Sequence, residues 1–300
     1  MIKSIRKALR KKNESFRQMR KVEQTIATTT RSQYLQNLAL HNTSSLVNNN
    51  VQREHELIIS LTTYSKRIHD VHLVIESLSE QTVKANRIIL WLDEDEFSQS
   101  TIPEILKLQQ DRGLEVRFCP NYRSYKKLVP TLKLEPDADV ITVDDDLLYP
   151  HDMIEMLVKE KLDYPQCIIG TRAHEMLVKD KSLLPYKSWL KECSYQNNGS
   201  KTFLTTGAGT LFPAGVFPKE ALEPKEFLNF CPSADDIWFN LIALKYGISR
   251  RKLSDDRKFV SRFLHLESNQ DIGLNKQNVN NNQNDIQAKK VIEHFNIEFF

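Results

Sequence analysis

Asp139-Val140-Ile141-Thr142-Val143-Asp144-Asp145-Asp146 is the stretch that decides the fold. A β-branched run leads straight into three carboxylates, with no turn residue between them. A strand that is apolar on both faces belongs inside a sheet covered on both sides. Carboxylates at its end stand at the carboxyl edge, where open α/β sheets bind ligands. Three adjacent like charges repel one another and so invite a divalent cation. Their hard oxygens suit Mg²⁺ or Mn²⁺, which can bridge to nucleotide phosphates. Alternation along an extended chain sends Asp144 and Asp146 one way and Asp145 the other. The plainer alternative is a solvated acidic turn ahead of a helix near Asp152.

Strands and helices alternate outward from this point. Upstream, strands are predicted at Leu57–Leu61, Arg87–Leu92 and Glu115–Phe118. Val71, Val74, Ile75 and Leu78 recur at helical spacing, and further helices are predicted near Pro103–Gln110 and Tyr125–Leu132. Downstream come a helix at Met153–Leu162 and an apolar run at Cys167–Gly170. A Thr/Gly segment at Thr205–Thr210, a helix from about Ser233, a strand at Phe259–Leu264 and an Asn-rich tail complete the pattern. The fold class is therefore α/β, Rossmann-like, with a mostly parallel central sheet flanked by helices. Four regions are expected: a basic amphipathic helix over 1–26, a polar linker over 27–53, one large domain over 54–270, and an Asn-rich segment with a C-terminal helix over 271–300.

Composition excludes several classes. No run approaches the roughly 18 apolar residues of a membrane span, and no apolar region follows the first basic residues as a secretory signal requires. The four cysteines (Cys119, Cys167, Cys193, Cys231) form no CxxC pair, against a zinc ribbon or a disulfide framework. A cytoplasmic setting is expected. The formal charge of +3 divides unevenly: residues 1–24 hold nine basic and two acidic side chains, the rest 33 basic and 37 acidic. Such a basic amphipathic helix lies on an anionic membrane surface or pairs with another helix. Peripheral attachment at the inner face of the cell membrane follows from the first, where each well-placed basic residue contributes about 1 kcal/mol. Aromatic residues are not interleaved with these charges and the folded part is acidic, so no nucleic-acid partner is expected.

Four blocks in order, SLTTYSKRIHDVHLVIESLSEQT, RIILWLDEDEF, RSYKKLVPTLK and ITVDDDLLYP, resemble bacterial glycosyltransferases of surface-polysaccharide assembly. These are family-2-like enzymes of the GT-A fold that use nucleotide sugars. The resemblance runs from about Glu56 to His265. It implies a hexosyltransferase-type enzyme that moves a sugar from a nucleoside-diphosphate donor, UDP-sugar favoured, to a glycan or lipid-linked acceptor. Inversion and dependence on Mn²⁺ or Mg²⁺ are implied with it, in surface polysaccharide or lipopolysaccharide synthesis. Thr62, Thr63 and Tyr64 would line the nucleobase pocket, with Arg67 nearby and Asp93 near base or ribose. Lys126 or Lys127 would reach the diphosphate. Asp144 would meet the ribose and join Asp146, the metal ligand of the DXD motif, with Asp145 between them. His265 would be a third metal or phosphate contact.

Asp235 and Asp236 form the second carboxylate site. By resemblance one is the general base, Asp236 first and Asp235 second. A capping box from Ser233 to Asp236 would explain the same residues without catalysis. Thr206, Gly207, Ala208 and Gly209 would let backbone approach donor sugar or acceptor closely, or make an ordinary glycine turn. Trp189 and Trp238 could stack on a sugar, with a core role the safer reading for Trp238.

A nucleotidyltransferase would carry a glycine-rich loop after the first strand, and none is present. A phosphatase would place Thr two residues after its Asp-x-Asp, where Leu148 stands. A non-catalytic GT-A-like protein that binds a glycan or a partner would not need both carboxylate sites.

Overall fold

The computed structural model describes residues 2–193, 199–266 and 282–299. Strands β1 (Leu57–Thr62), β2 (Arg87–Asp93), β3 (Leu114–Cys119) and β4 (Asp139–Val143) form where the apolar runs predict them. Shorter ones follow: β5 (Leu147–Leu148), β6 (Ile168–Gly170), β7 (Ala173–Glu175), β8 (Val178–Lys179) and β9 (Ser182–Leu183). β10 (Thr202–Leu204), β11 (Ala208–Phe212), β12 (Arg250–Lys252) and β13 (Leu264–His265) complete them. Seven make one sheet in the order β12-β6-β11-β4-β1-β2-β3. Every pairing in it is parallel except the two made by β11. The expected α/β class, a mostly parallel sheet between layers of helices, is what the chain forms.

The helices are α1 (Ile2–His41), α2 (Val71–Ser79), α3 (Glu104–Gln110), α4 (Val129–Leu134), α5 (Met153–Asp163), α6 (Pro224–Phe230), α7 (Asp235–Lys245), α8 (Phe259–Arg262) and α9 (Gln283–Phe295). Alternation along the strands feeds a core on each face of the sheet. Leu57, Ile59 and Leu61 of β1 pack with α2 and with Leu35 of α1. Val140 of β4 and Phe212 of β11 pack with α4, α7 and α9. Burying each such side chain contributes about 1.5–3 kcal/mol. One polar residue in the sheet is Ser60, whose hydroxyl meets Thr131 of α4 at 2.6 Å, while Trp91 Nε1 donates to the same Thr131 hydroxyl at 2.7 Å.

Three expectations are corrected, and one is not tested. α1 runs on to His41, well into the stretch read as a polar linker, because that stretch carries apolar residues that meet the body: Leu35 and Ala39 on the helix, and Leu46 and Val47 beyond it, are buried. The Asn-rich part of the tail, 267–281, lies outside the described residues. The single helix read near Tyr125–Leu132 is a 3-10 turn, Arg123–Lys127, followed by α4, whose first turn contains Pro130. The strand read at Phe259–Leu264 is mostly the helical turn α8: Phe259 and Phe263 stack at 4.3 Å, as residues four apart do on a helix.

Candidate active site

The parallel strands β1, β2 and β4 end on one edge of the sheet, and β11, running against them, begins there. Residues far apart in sequence therefore meet. Asp144 N–H donates to the Gly207 carbonyl at 2.9 Å just ahead of β11. Tyr149 Oη accepts from Asp144 N–H at 2.7 Å and donates to the Gly207 carbonyl, fixing the carboxylate triplet against the Thr/Gly segment. Tyr149 has no role in the sequence reading. Its signal was a single polar-tipped aromatic within LLYP, which spacing alone does not separate from core.

β4 ends at Val143 and the triplet turns, so strand alternation does not govern it. Asp145 is the buried member. Its Oδ1 pairs with Arg67 Nη1 at 2.5 Å and its Oδ2 accepts from Thr63 Oγ1 at 2.7 Å. Arg67 also reaches Asp146 Oδ2 at 3.3 Å, so one guanidinium ties Asp145 and Asp146 to the turn after β1. Burial pushes Asp145 up to about 6 in spite of Arg67. Asp146 is likewise raised, first by burial and then by the nearby Asp144, with Arg67, His265 and Lys127 opposing. Thr62 Oγ1 donates to the Trp91 carbonyl at 2.8 Å, and the Tyr64 ring lies 5.1 Å from the Arg67 guanidinium.

Of the two adjacent lysines, Lys126 sits 3.5 Å from Asp93 at the end of β2. Lys127 spans both carboxylate sites: its Nζ is 3.0 Å from Asp144 Oδ1 and 3.1 Å from Asp235 Oδ2. Both lysines are buried. Burial opposes the charge on Lys127, but Asp144, Asp235 and Asp236 outweigh it and hold the ammonium protonated.

Asp235 and Asp236 open α7, yet no capping box forms. Ala234 is the N-cap, and the Ser233 hydroxyl instead accepts from Gln287 Nε2 of α9 at 2.9 Å. The two carboxylates turn toward Thr206. Asp236 Oδ1 accepts from Thr206 N–H at 2.9 Å and Thr206 Oγ1 at 2.6 Å, and Asp235 Oδ2 lies 3.0 Å from the same hydroxyl. Their environments separate them. Burial and the charge of Asp235 push Asp236 up to about 6. Burial also disfavours the charge on Asp235, but Lys127 and the Thr206 hydroxyl win and hold it below the usual carboxylate range.

Gly207 is required by this packing: a Cβ there would lie 1.7 Å from Asp144 Oδ2. Gly209 has φ +91 at an irregularity between β11 and β4, and a Cβ would meet Met153 Sδ at 2.4 Å. Ala208 pairs with Val143. His265, on β13, lies opposite Leu147, and Leu266 N–H donates to the Asp146 carbonyl at 2.9 Å, so the histidine stands beside the triplet. Trp189 and Trp238 are both core residues, their indoles donating to the Leu184 and Ala221 carbonyls at 2.7 and 2.9 Å.

Among the described residues no group of three or more His, Cys, Asp or Glu side chains is gathered to hold a metal unaided. Asp144 and Asp146 still fit Mg²⁺ or Mn²⁺. Such ions need only one or two protein carboxylates when substrate phosphates complete the shell, and the mutual repulsion of this pair is what a cation would relieve. Nor, among the described residues, is any helix long and apolar enough to cross a membrane.

No family model matches the chain, and no curated protein does. Among solved structures it is similar to CMP:2-keto-3-deoxy-manno-octonic acid synthetase complexed with CTP, at 13% identity and a TM-score of 0.39, over 67% of this chain and 89% of that one. It is also similar to S. aureus TarS 1–349 in complex with UDP, at 16% identity and a TM-score of 0.44. That likeness covers 67% of this chain and 58% of TarS. At these scores the α/β architecture stands on the strand order itself.

Proposed function

We propose that the chain is a glycosyltransferase that moves a sugar from a nucleoside-diphosphate donor, UDP-sugar favoured, onto a hydroxyl of a glycan or lipid-linked acceptor. Surface polysaccharide or lipopolysaccharide synthesis is the setting. The observation that carries this reading is Lys127, held by Asp144 on one side and Asp235 on the other. It makes one site of the acidic edge suited to a nucleotide and the acidic pair suited to proton transfer.

In this reading Thr62, Thr63, Tyr64, Arg67 and Asp93 shape the nucleoside end, and Lys126 and Lys127 face the diphosphate. Asp144 and Asp146, with His265 beside them, would hold Mg²⁺ or Mn²⁺, which when bound neutralises the leaving diphosphate. Asp236 is the base. Both Thr206 donors land on its Oδ1, which leaves Oδ2 for an acceptor hydroxyl. A carboxyl raised to about 6 is charged at neutral pH yet basic enough to take a proton. As the acceptor oxygen bonds to the anomeric carbon, its proton passes to Asp236 and the sugar–phosphate electron pair leaves with the diphosphate. Attack opposite the leaving group inverts that carbon. Asp235 is a positioning residue, fixing Lys127 and Thr206.

Donor hydrolysis and transfer across a panel of nucleotide sugars, with and without EDTA, tests the reading. Turnover that is lost on chelation and in Asp236→Asn supports it. Turnover that survives both EDTA and Asp146→Ala removes the metal role, and no turnover with any donor removes the activity.

A further inference from the structure

The amino-terminal half of α1 carries a large apolar surface. Phe16, Met19, Val22 and Ile26 are 50%, 55%, 57% and 61% exposed. Helix position follows from about 100° per residue. Phe16, Met19 and Ile26 fall on one stripe, whereas Leu35 and Ala39, which seat the helix on the domain, fall on the opposite side. The stripe therefore faces away from the body and is open to a second helix.

Its spacing is that of a coiled-coil seam. Residues 9, 12, 16, 19, 23 and 26 advance in alternating steps of three and four, and Leu9, Phe16, Met19 and Ile26 supply the apolar members. Two seam positions are charged: Lys12 and Glu23. On an anionic bilayer Glu23 would sit in the face that must lie down, repelled by the lipid and desolvated by it. A parallel pair would oppose Lys12 to Lys12 and Glu23 to Glu23. An antiparallel pair resolves both. If Phe16 faces Met19 of the second copy, the same register sets Lys12 against Glu23, twice over by symmetry. Arg20 then flanks Asn13 rather than a like charge, and Arg10, Arg17 and Lys21 stay on the outer face.

We propose that α1 forms an antiparallel coiled coil with α1 of a second copy of this chain, its register set by reciprocal Lys12–Glu23 pairs. The overlap of residues 9–26 spans about 27 Å. That is short for an isolated pair of helices, but here the helix is anchored and continued by its packed end, which lowers the ordering cost. The interface does not depend on the transfer reaction, so either can fail without the other.

Sedimentation equilibrium on the full chain tests it. A particle of twice the 34.9 kDa chain mass is expected. Lys12→Glu alone and Glu23→Lys alone should each weaken the dimer roughly tenfold or more, since each places like charges in two seam layers. The double charge swap should restore it, a rescue that loss of folding could not produce. A monomer at all concentrations overturns the proposal. A dimer indifferent to both single changes overturns it too, since another surface or a parallel pair would then be at work. So does a chain that is monomeric in free solution and pellets with phosphatidylserine vesicles more strongly as Glu23→Lys, which is the behaviour of a membrane helix.

Discussion

Asp235 and Asp236 are neighbours in sequence with opposite electrostatic fates. Lys127 holds the first ionised, and that ionised neighbour then raises the second. Activity that needs the Asp236 carboxylate should rise with pH through about 6, because below that value the group is protonated and cannot accept a proton. Asp235→Asn removes a neighbouring negative charge, so the rising limb should move to lower pH while Asp236→Asn abolishes it. The pH profile of kcat/KM on each variant checks both. Arg67 makes a separate case. Its loss would strand the buried Asp145 without a cation, and Arg67→Ala should cost about 3 kcal/mol in urea unfolding. The charged residues of the site stand out in sequence as DDD, KK and ADD. Which lysine meets which carboxylate does not, since Lys126 and Lys127 differ only in the face of a 3-10 turn, and such a turn leaves no periodic trace.

At the scale of elements, β11 determines the site because it enters the sheet antiparallel and so brings Thr206 and Gly207 to the edge where β4 ends. Gly207→Ala should displace the Asp144 carboxylate while leaving the sheet intact, since the atoms nearest the added methyl all belong to the Asp144 carboxylate. The expected outcome is a tenfold or greater loss of nucleotide affinity, roughly 1.4 kcal/mol, with an unchanged circular dichroism spectrum. Calorimetric titration with UDP and Mn²⁺ reads it. β1, β2 and β4 were legible because strands buried on both faces leave nearly unbroken apolar runs, and β3, at the sheet edge, because Val116 and Phe118 alternate with Glu115 and Arg117. β11 was not, because Ala208-Gly209-Thr210 reads as a turn and its strand character comes from the neighbours it joins. Phe259–Leu264 failed in the other direction: its apolar residues suit a strand, but the stacked rings of Phe259 and Phe263 and the pairing of Arg262 with Asp152 and Asp255 select a helical turn.

For the whole molecule, α1 has two unlike halves. Its carboxyl-terminal half is part of the domain: Leu35 is fully buried, Arg31 pairs with Glu80 at 2.5 Å, and Tyr34 Oη donates to Glu80 at 2.7 Å. Leu35→Ala should therefore lower stability by about 3 kcal/mol in chemical denaturation. Removing residues 2–26 should leave the melting temperature of the domain nearly unchanged, because none of the described side chains of that half belongs to the domain core. Charge counting in the sequence found that basic half but placed its end too early. The polar letters of 27–53 hide an apolar stripe carried by few residues, and only the body it meets makes them core.

The position of β11 also bears on how the chain is made. Among the described residues β6 pairs with β11 and β12, and β11 is what joins it to β4. A ribosome delivers β4 and β6 long before Ala208–Phe212, so for that interval β4 is an open edge of Val140, Ile141, Thr142 and Val143. Because it ends up central, its run Val140–Val143 contains neither the charge nor the proline that guards a permanent edge. Nascent chains should thus stay protease-sensitive and chaperone-bound until Phe212 has emerged, then gain protection in one step. Limited proteolysis of ribosome-stalled chains of increasing length would show where that step falls. The strand that completes the carboxylate-bearing edge is in this sense also the one whose arrival ends the chain's most vulnerable period.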